Sequence, residues 1–260
     1  GSVVGVIRTA PARDQRYAAQ RIVERIDQMR GRVPPLEALD TFAQYLCLRI
    51  DSLHNEDNAR DGSRQADRLA RSWATSDAFA ELESEVFAHF AKIKVGDSDP
   101  DLFAQIMDTG GYVQGSSGRF AARHRTATSY HAQLARAFRI VRKRRWVGVI
   151  ADGVGTGRGV MMFNRALESG LEHRGLSTLE PPATYLVTER DPMLARFTWI
   201  QLSLSGIPAL VMEGTLGALR GAGDTMTRRE TPASEAFRDA HFADGDVDFE
   251  IDLILPPQTD

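Results

Sequence analysis

The chain has 260 residues and a mass of 28.7 kDa, enough for one large domain or two modest ones with a buried core. With 42% hydrophobic and 26% charged residues it has the make-up of an ordinary globular protein, which excludes a fibrous chain or one disordered throughout. The 32 Lys and Arg against 35 Asp and Glu leave a formal net charge of -3, so the totals do not describe a strongly basic nucleic-acid module.

From Asp14 to Met107 apolar residues return every three or four positions, the period of helices packed on one face. Tyr17, Ile22, Val23, Ile26 and Met29 mark the first helix, stopped by Arg30-Gly31 and Val33-Pro34-Pro35. The second runs from Leu36 to Leu53 and carries the single cysteine, Cys47. With no second thiol, Cys47 forms neither an intrachain disulfide nor a zinc site, and is expected as a small buried side chain. Further helices are expected over Gln65–Trp73, Asp77–Lys94 and Pro100–Met107, giving a helical N-terminal domain over 1–110.

Asp108-Thr109-Gly110-Gly111 and Gly115-Ser116-Ser117-Gly118 then break the pattern. One more helix, Thr128–Arg142, leads into the basic cluster Arg142-Lys143-Arg144-Arg145. From Trp146 short β-branched runs (Val147–Ile150, Tyr185–Val187, Ala209–Met212, Val247–Leu255) alternate with helical segments (Val160–Arg174, Pro192–Ser205). Strands alternating with helices predict an α/β domain over 111–260 with a Rossmann-like, mostly parallel sheet. The Gly- and Arg-rich stretch Gly217–Gly245 reads as a long surface loop or lid.

The sharpest local signal is Val147 to Gly159, an apolar strand running into Asp152-Gly153-Val154-Gly155-Thr156-Gly157 and then a helix. Glycines allow a sharp turn and close approach of a ligand, and the free amides of the next helix favour an anionic group. A phosphate-loop reading fails, because Gly157 is followed by Arg158-Gly159 where Lys and then Ser or Thr are needed. The second strand ends in Thr188-Glu189-Arg190-Asp191-Pro192. A carboxylate there either accepts a ribose diol, a task suited to Glu189, or caps the next helix, a task suited to Asp191.

Four segments together carry a resemblance: Gly118-Arg119-Phe120 ahead of a helix, Gly155-Thr156-Gly157, Thr188–Arg196 continuing through Trp199–Val211, and Asp252-Leu253-Ile254-Leu255-Pro256-Pro257. They resemble the catalytic core of class I S-adenosylmethionine-dependent methyltransferases, in particular the N-6 adenine DNA methylases related to the modification subunit of type I restriction systems. The resemblance spans residues 118–257. It implies S-adenosylmethionine as donor, with Phe120 packed near it, Asp152, Gly153, Gly155, Thr156 and Gly157 at its methionine end, and Glu189 at its ribose. Pro256 and Pro257 correspond to the loop that meets the target amine, the exocyclic nitrogen of an adenine flipped out of DNA.

The chain departs from that pattern in three places. Leu255 and Gln258 stand where the family has an Asn or Asp and an aromatic ring, Ala151 precedes Asp152 where an acidic residue is usual, and Glu213-Gly214-Thr215 follows the third strand where the family often has a polar residue near the donor's adenine. These departures favour a second reading, a catalytically inactive methyltransferase-like module that binds DNA, the donor or a protein partner. After the fourth strand the family has about three more, so two expectations stand: a C-terminal region absent from this sequence supplies them, or the sheet is shortened and its edge is covered by the chain's own helices, a protein partner or a second copy. Arg123, Arg125 and Arg144 are the expected phosphate contacts, with Arg142–Arg145 read alternatively as a solvated helix end. The six histidines show no metal-ligand spacing, so no metal is expected. No run approaches the roughly 18 apolar residues of a membrane span and no signal-peptide order opens the chain, so a cytoplasmic protein without a membrane partner is expected.

Overall fold

A computed structural model of the chain describes residues 18–29, 33–57, 59–73, 76–93, 99–112, 130–176, 180–219, 227–242 and 250–256. The expected turn at Gly115–Gly118 lies outside the described residues, as do Phe120, Arg123, Arg125, Pro257 and Gln258. The chain divides into two units, residues 1–123 and 124–260. Among the described residues no helix is long and apolar enough to cross a membrane.

The first unit is helical. Helix α1 (18–28) is followed by α2 (Pro35–His54), α3 (Ala59–Ser72), α4 (Ser76–Ile93) and α5 (Leu102–Gly110). Pro35 at the first position of α2 loses no hydrogen bond there, and Asp101 caps α5 by accepting the Ala104 amide at 3.1 Å. Gly111, left-handed at φ 61, closes α5. Phe42 and Tyr45 of α2 meet Phe79 of α4 with ring centroids 5.6 and 5.2 Å apart, and Cys47 is buried among these helices, as expected of a lone thiol. Helix α3 starts six residues before the expected Gln65. Its first turns, Ala59-Arg60-Asp61-Gly62-Ser63-Arg64, lack the apolar repeat that marks a helix, but Gly62 lets them lie against Ser52 and the Leu48 carbonyl of α2.

The second unit is α/β. Helix α6 (His131–Arg144) precedes β1 (Val147–Asp152), α7 (Arg158–His173), β2 (Ala183–Glu189), α8 (Pro192–Leu204), β3 (Ala209–Glu213), the short α9 (Leu216–Leu219), β4 (Arg228–Glu230), α10 (Pro232–His241) and β5 (Leu253–Ile254). The sheet order is β4-β3-β2-β1-β5, parallel except for the antiparallel edge strand β4. The four parallel strands therefore follow 3-2-1-4, the order of a doubly wound sheet, with its switch point between β1 and β5. Both crossovers, through α7 and α8, step the same way along the sheet, so right-handed connections lay the two helices on one face. Ser205, just past α8, accordingly reaches Met161 Sδ of α7 at 3.8 Å. On β2 the fully buried Tyr185 donates its hydroxyl to Asn164 Oδ1 of α7 at 2.9 Å, fixing strand and helix in register.

Two expectations are corrected here. Gly217–Gly245 is not one long loop, because it contains β4 and α10. Thr231 and Pro232 start α10, and the Thr231 hydroxyl is held between the Ile207 carbonyl (2.7 Å) and the Ala209 amide (2.9 Å). The fourth parallel strand is also shorter than Val247–Leu255, since among the described residues only Leu253 and Ile254 are strand. Segment 250–252 runs so close to β1 that a Cβ on Gly148 would lie 1.9 Å from the Glu250 carbonyl oxygen, and only glycine allows that approach.

Candidate functional site

The β1–α7 turn lies at the carboxyl end of β1, where open α/β sheets bind ligands. Gly153, Gly155 and Gly157 take φ of 62°, 61° and 88°, a region that costs other L-residues about 1–2 kcal/mol. The three are not equivalent. A Cβ on Gly157 would sit 3.1 Å from Thr198 Cγ2, so this glycine exists for close packing of the turn on α8. A Cβ on Gly153 or Gly155 meets nothing within 4 Å, so their backbone borders open space.

Four polar side chains hold the turn. Glu189 Oε1, at the end of β2, accepts the Gly155 amide at 3.0 Å, and its Oε2 accepts the Asp191 amide at 2.9 Å. Thr198 donates to the Gly155 carbonyl at 2.8 Å, and Gln201 Nε2 donates to the Thr156 carbonyl at 2.8 Å. The Asp152 carboxylate accepts the Thr188 hydroxyl and, at 3.1 Å, the Leu216 amide, tying β1 to β2 and to the start of α9. The turn is thereby preorganised, with the Gly155 and Thr156 carbonyls directed into α8 and open space beside Gly153 and Gly155.

Glu189 is only 8% exposed, and burial pushes its carboxyl above the usual range, against the opposing pull of the Asp191 and Gly155 amides. Of the two tasks that the sequence left open, the helix cap falls to Asp191. Asp191 caps α8, accepting the Met193 and Leu194 amides at 2.8 and 3.2 Å, which leaves Glu189 on the glycine turn.

Beside β1, Ile150 pairs with Ile254, so Pro256 is level with Asp152 at the same end of the sheet as the turn. Leu255 donates its amide to the Ile150 carbonyl at 2.9 Å, and its side chain, 4% exposed, faces the core. Arg144 lies at the opposite end of the sheet. Its guanidinium pairs with Glu250 and Asp252 and lies 4.0 Å from the centroid of the Trp146 ring, clamping α6 to the segment that leads into β5.

Gly153, Gly155, Thr156, Gly157, Asp152 and Glu189 are thus assembled in one place with Pro256 alongside, and Arg144 is far from them. Sequence reading missed Thr188, Thr198 and Gln201. Their signal was polarity in apolar surroundings: Thr198 and Gln201 interrupt Phe197, Trp199, Ile200 and Leu202 on α8, and both are completely buried. Among the described residues no group of three or more His, Cys, Asp or Glu is placed to hold a metal.

No protein-family model and no curated protein matches the chain. Among solved structures it is similar to a candidate class I S-adenosylmethionine-dependent methyltransferase from Listeria monocytogenes, at 12% identity and a TM-score of 0.35. The match covers 76% of this chain and 53% of the neighbour, so the chain spans about half of that protein's length. At that score no residue here takes its role from the neighbour.

Proposed function

We propose that the second unit binds S-adenosylmethionine at the β1–α7 turn and transfers its methyl group to the exocyclic amine of adenine in DNA. The observation that carries this reading is the Glu189 carboxylate held against the Gly155 amide at the carboxyl end of a 3-2-1-4 sheet. A dinucleotide- or nucleoside-type ligand in such a crevice presents its ribose diol to the acidic end of β2 and its charged end to the glycine turn. The chain's residues suit that ligand. Gly153 and Gly155 leave open space beside their backbone, and Glu189 keeps unshared lone pairs on oxygens that are already oriented.

Bound there, S-adenosylmethionine supplies an electrophilic methyl carbon on a sulfonium. Glu189 holds and orients; Gly153 and Gly155 admit the ligand; Thr198 and Gln201 keep the turn from moving as it does so. The attacking amine has to lie in line with the methyl–sulfur bond, and positioning of this kind supplies most of the acceleration such a transfer needs. Pro256, following β5 on the same side, borders the place where a flipped base would enter, and Arg123 and Arg125 are the candidate phosphate contacts.

A second reading, a non-catalytic module that binds the donor, DNA or a protein partner, is favoured by one observation. Leu255 buries its side chain where the family resembled has the amide or carboxylate that accepts the amine, and leucine accepts no hydrogen bond. Calorimetric titration with S-adenosylmethionine and its demethylated product, followed by analysis of adenine-containing DNA for N-6-methyladenine, tests both. Binding with methylation supports the enzyme, and binding without it supports the module. Absence of donor binding at millimolar concentration sinks both donor readings.

A further inference from the structure

Helix α3 carries Arg60, Arg64, Arg68 and Arg71, and all four are exposed. At 3.6 residues per turn these positions fall within about 80° of arc, a stripe about 16 Å long. The buried residues of the helix, Ala66 and Ala70, and Gly62 packed on α2, lie on the opposite side. The stripe is therefore the outermost surface of the helix.

The charges on this stripe are handled differently from the other described arginines of the first unit. Arg21 pairs with Glu85, Arg25 with Glu81 and Arg49 with Glu83, so α4 supplies a carboxylate for each. Arg60, Arg64 and Arg68 form no ion pair with any described residue, and Arg71 uses only its Nε, on the Asp67 carbonyl of its own helix at 3.3 Å. Asp61 and Asp67 flank the stripe at helical spacing from Arg64 and Arg71, yet no ion pair closes. The result is a local excess of positive charge on a chain whose formal net charge is -3. Local potential, not net charge, guides association.

We infer that the Arg60–Arg64–Arg68–Arg71 stripe of α3 is a docking face for the phosphate backbone of a nucleic acid. Arginine offers a planar fork of donors that matches phosphate oxygens in pairs. Along about 16 Å of helix the stripe faces about five phosphates of one strand. An anionic membrane fits less well, because a helix lying in a lipid interface needs several large apolar or aromatic side chains beside its basic face, and the one large apolar side chain of α3, Leu69, lies away from the stripe on the side of Ala66 and Ala70. The contacts reach backbone only, so they supply affinity and not sequence recognition.

The inference concerns the first unit and does not rest on methyl transfer. Its test uses the whole chain and a labelled DNA duplex, with anisotropy titrations between about 50 and 200 mM salt. In the variant Arg60→Gln, Arg64→Gln, Arg68→Gln, Arg71→Gln, affinity should fall at least tenfold. The slope of log K against log salt should become shallower by about 3–4, close to one unit per lost phosphate contact. The corresponding four-lysine variant should keep most of the slope, which separates charge from a folding defect, and circular dichroism should be unchanged in both. An unchanged slope in the glutamine variant overturns the inference. So does wild-type binding to phosphatidylserine vesicles or polyglutamate that matches binding to the duplex. Calorimetry with S-adenosylmethionine on the same samples keeps the two proposals apart, since loss of donor binding in the wild type removes the enzyme reading and leaves the stripe standing.

Discussion

Glu189 Oε1 accepts the amide of Gly155 at 3.0 Å, joining the end of β2 to the turn that follows β1 directly. One buried carboxylate therefore shapes the glycine turn and the start of α8 together, with one oxygen on the Gly155 amide and the other on the Asp191 amide. Replacing Glu189 with alanine leaves the Gly155 and Asp191 amides without their acceptor, and a hydrogen bond to a charged group is worth about 1.5–3 kcal/mol. The expected outcome is a measurable drop in melting temperature together with loss of donor binding by calorimetry. Glu189→Gln keeps one carbonyl oxygen but sets an NH2 against a backbone amide, so it should be intermediate in both. Unchanged donor affinity in the alanine variant would remove Glu189 from the site.

Donor affinity should also depend on pH through this group. Burial raises the Glu189 carboxyl above 4.5, so the folded protein takes up its proton earlier than a free carboxyl does as pH falls. The proton favours the folded chain slightly over the unfolded one, but it takes away acceptor capacity for the Gly155 amide and for a ribose diol. Affinity should therefore weaken on acidification, beginning at a higher pH than for a free carboxyl, and the weakening should be absent from the residual binding of Glu189→Gln.

The glycines of the turn should separate stability from binding. Gly157→Ala combines a φ of 88° with a Cβ 3.1 Å from Thr198 Cγ2 and should destabilise by about 2–3 kcal/mol. Gly155→Ala has φ 61° and open space, so its stability cost should stay near the conformational strain alone, about 1–2 kcal/mol, while the new methyl intrudes where a ligand would approach. Melting curves and donor titrations on both variants check the contrast. Equal losses of stability with equal losses of affinity would show that the turn is structural throughout.

Much of this site was legible in the sequence because its residues do things that few others can. A left-handed turn demands glycine, so Gly153, Gly155 and Gly157 announce themselves, and an acidic strand end before Asp191-Pro192 marks Glu189. What stayed hidden depends on packing. Edge strand β4 is Arg-Arg-Glu, with no apolar alternation to betray it, and it exists because Arg228, Arg229 and Glu230 pair with Met212, Val211 and Leu210. The first turns of α3 are almost wholly polar and gain their helicity from contact with α2. Arg144 read as a phosphate contact because the cluster Arg142–Arg145 shows four charges, while its acidic partners lie more than a hundred residues away at Glu250 and Asp252.

Those partners fix what Arg144→Gln should do. The guanidinium is 29% exposed and bridges two carboxylates, one of which, Asp252, also accepts the Gly148 amide at 2.8 Å. Removing the charge leaves Asp252 partly buried beside β1 with only that amide, at a cost of about 1–2 kcal/mol after allowance for solvent screening. The variant should melt earlier and bind DNA with an unchanged salt slope. A shallower slope at unchanged stability would instead return Arg144 to the nucleic-acid contacts.

His89 should make the first unit acid-sensitive. Its ring is 5% exposed, its Nε2 lacks a hydrogen-bond partner, and it packs edge-on against Phe90 with centroids 5.1 Å apart. Burial pulls its pKa from 6.5 down to about 4, with Lys92 pushing the same way and the Pro100 carbonyl and Asp99 opposing. Between those values the unfolded chain holds the proton and the folded chain does not, so acid favours unfolding. The stability that the neutral ring permits is complete above pH 6.5 and falls as pH drops towards 4, by at most about 3 kcal/mol if the whole shift is expressed. Denaturant titrations at several pH values in this window should show a steeper pH dependence for the wild type than for His89→Phe, which keeps the ring and removes the proton site. The His89 Cε1 proton in NMR should stay at its neutral position down to about pH 5. A midpoint near 6.5, or identical pH dependence in the two proteins, would show that the buried ring takes up a proton without cost.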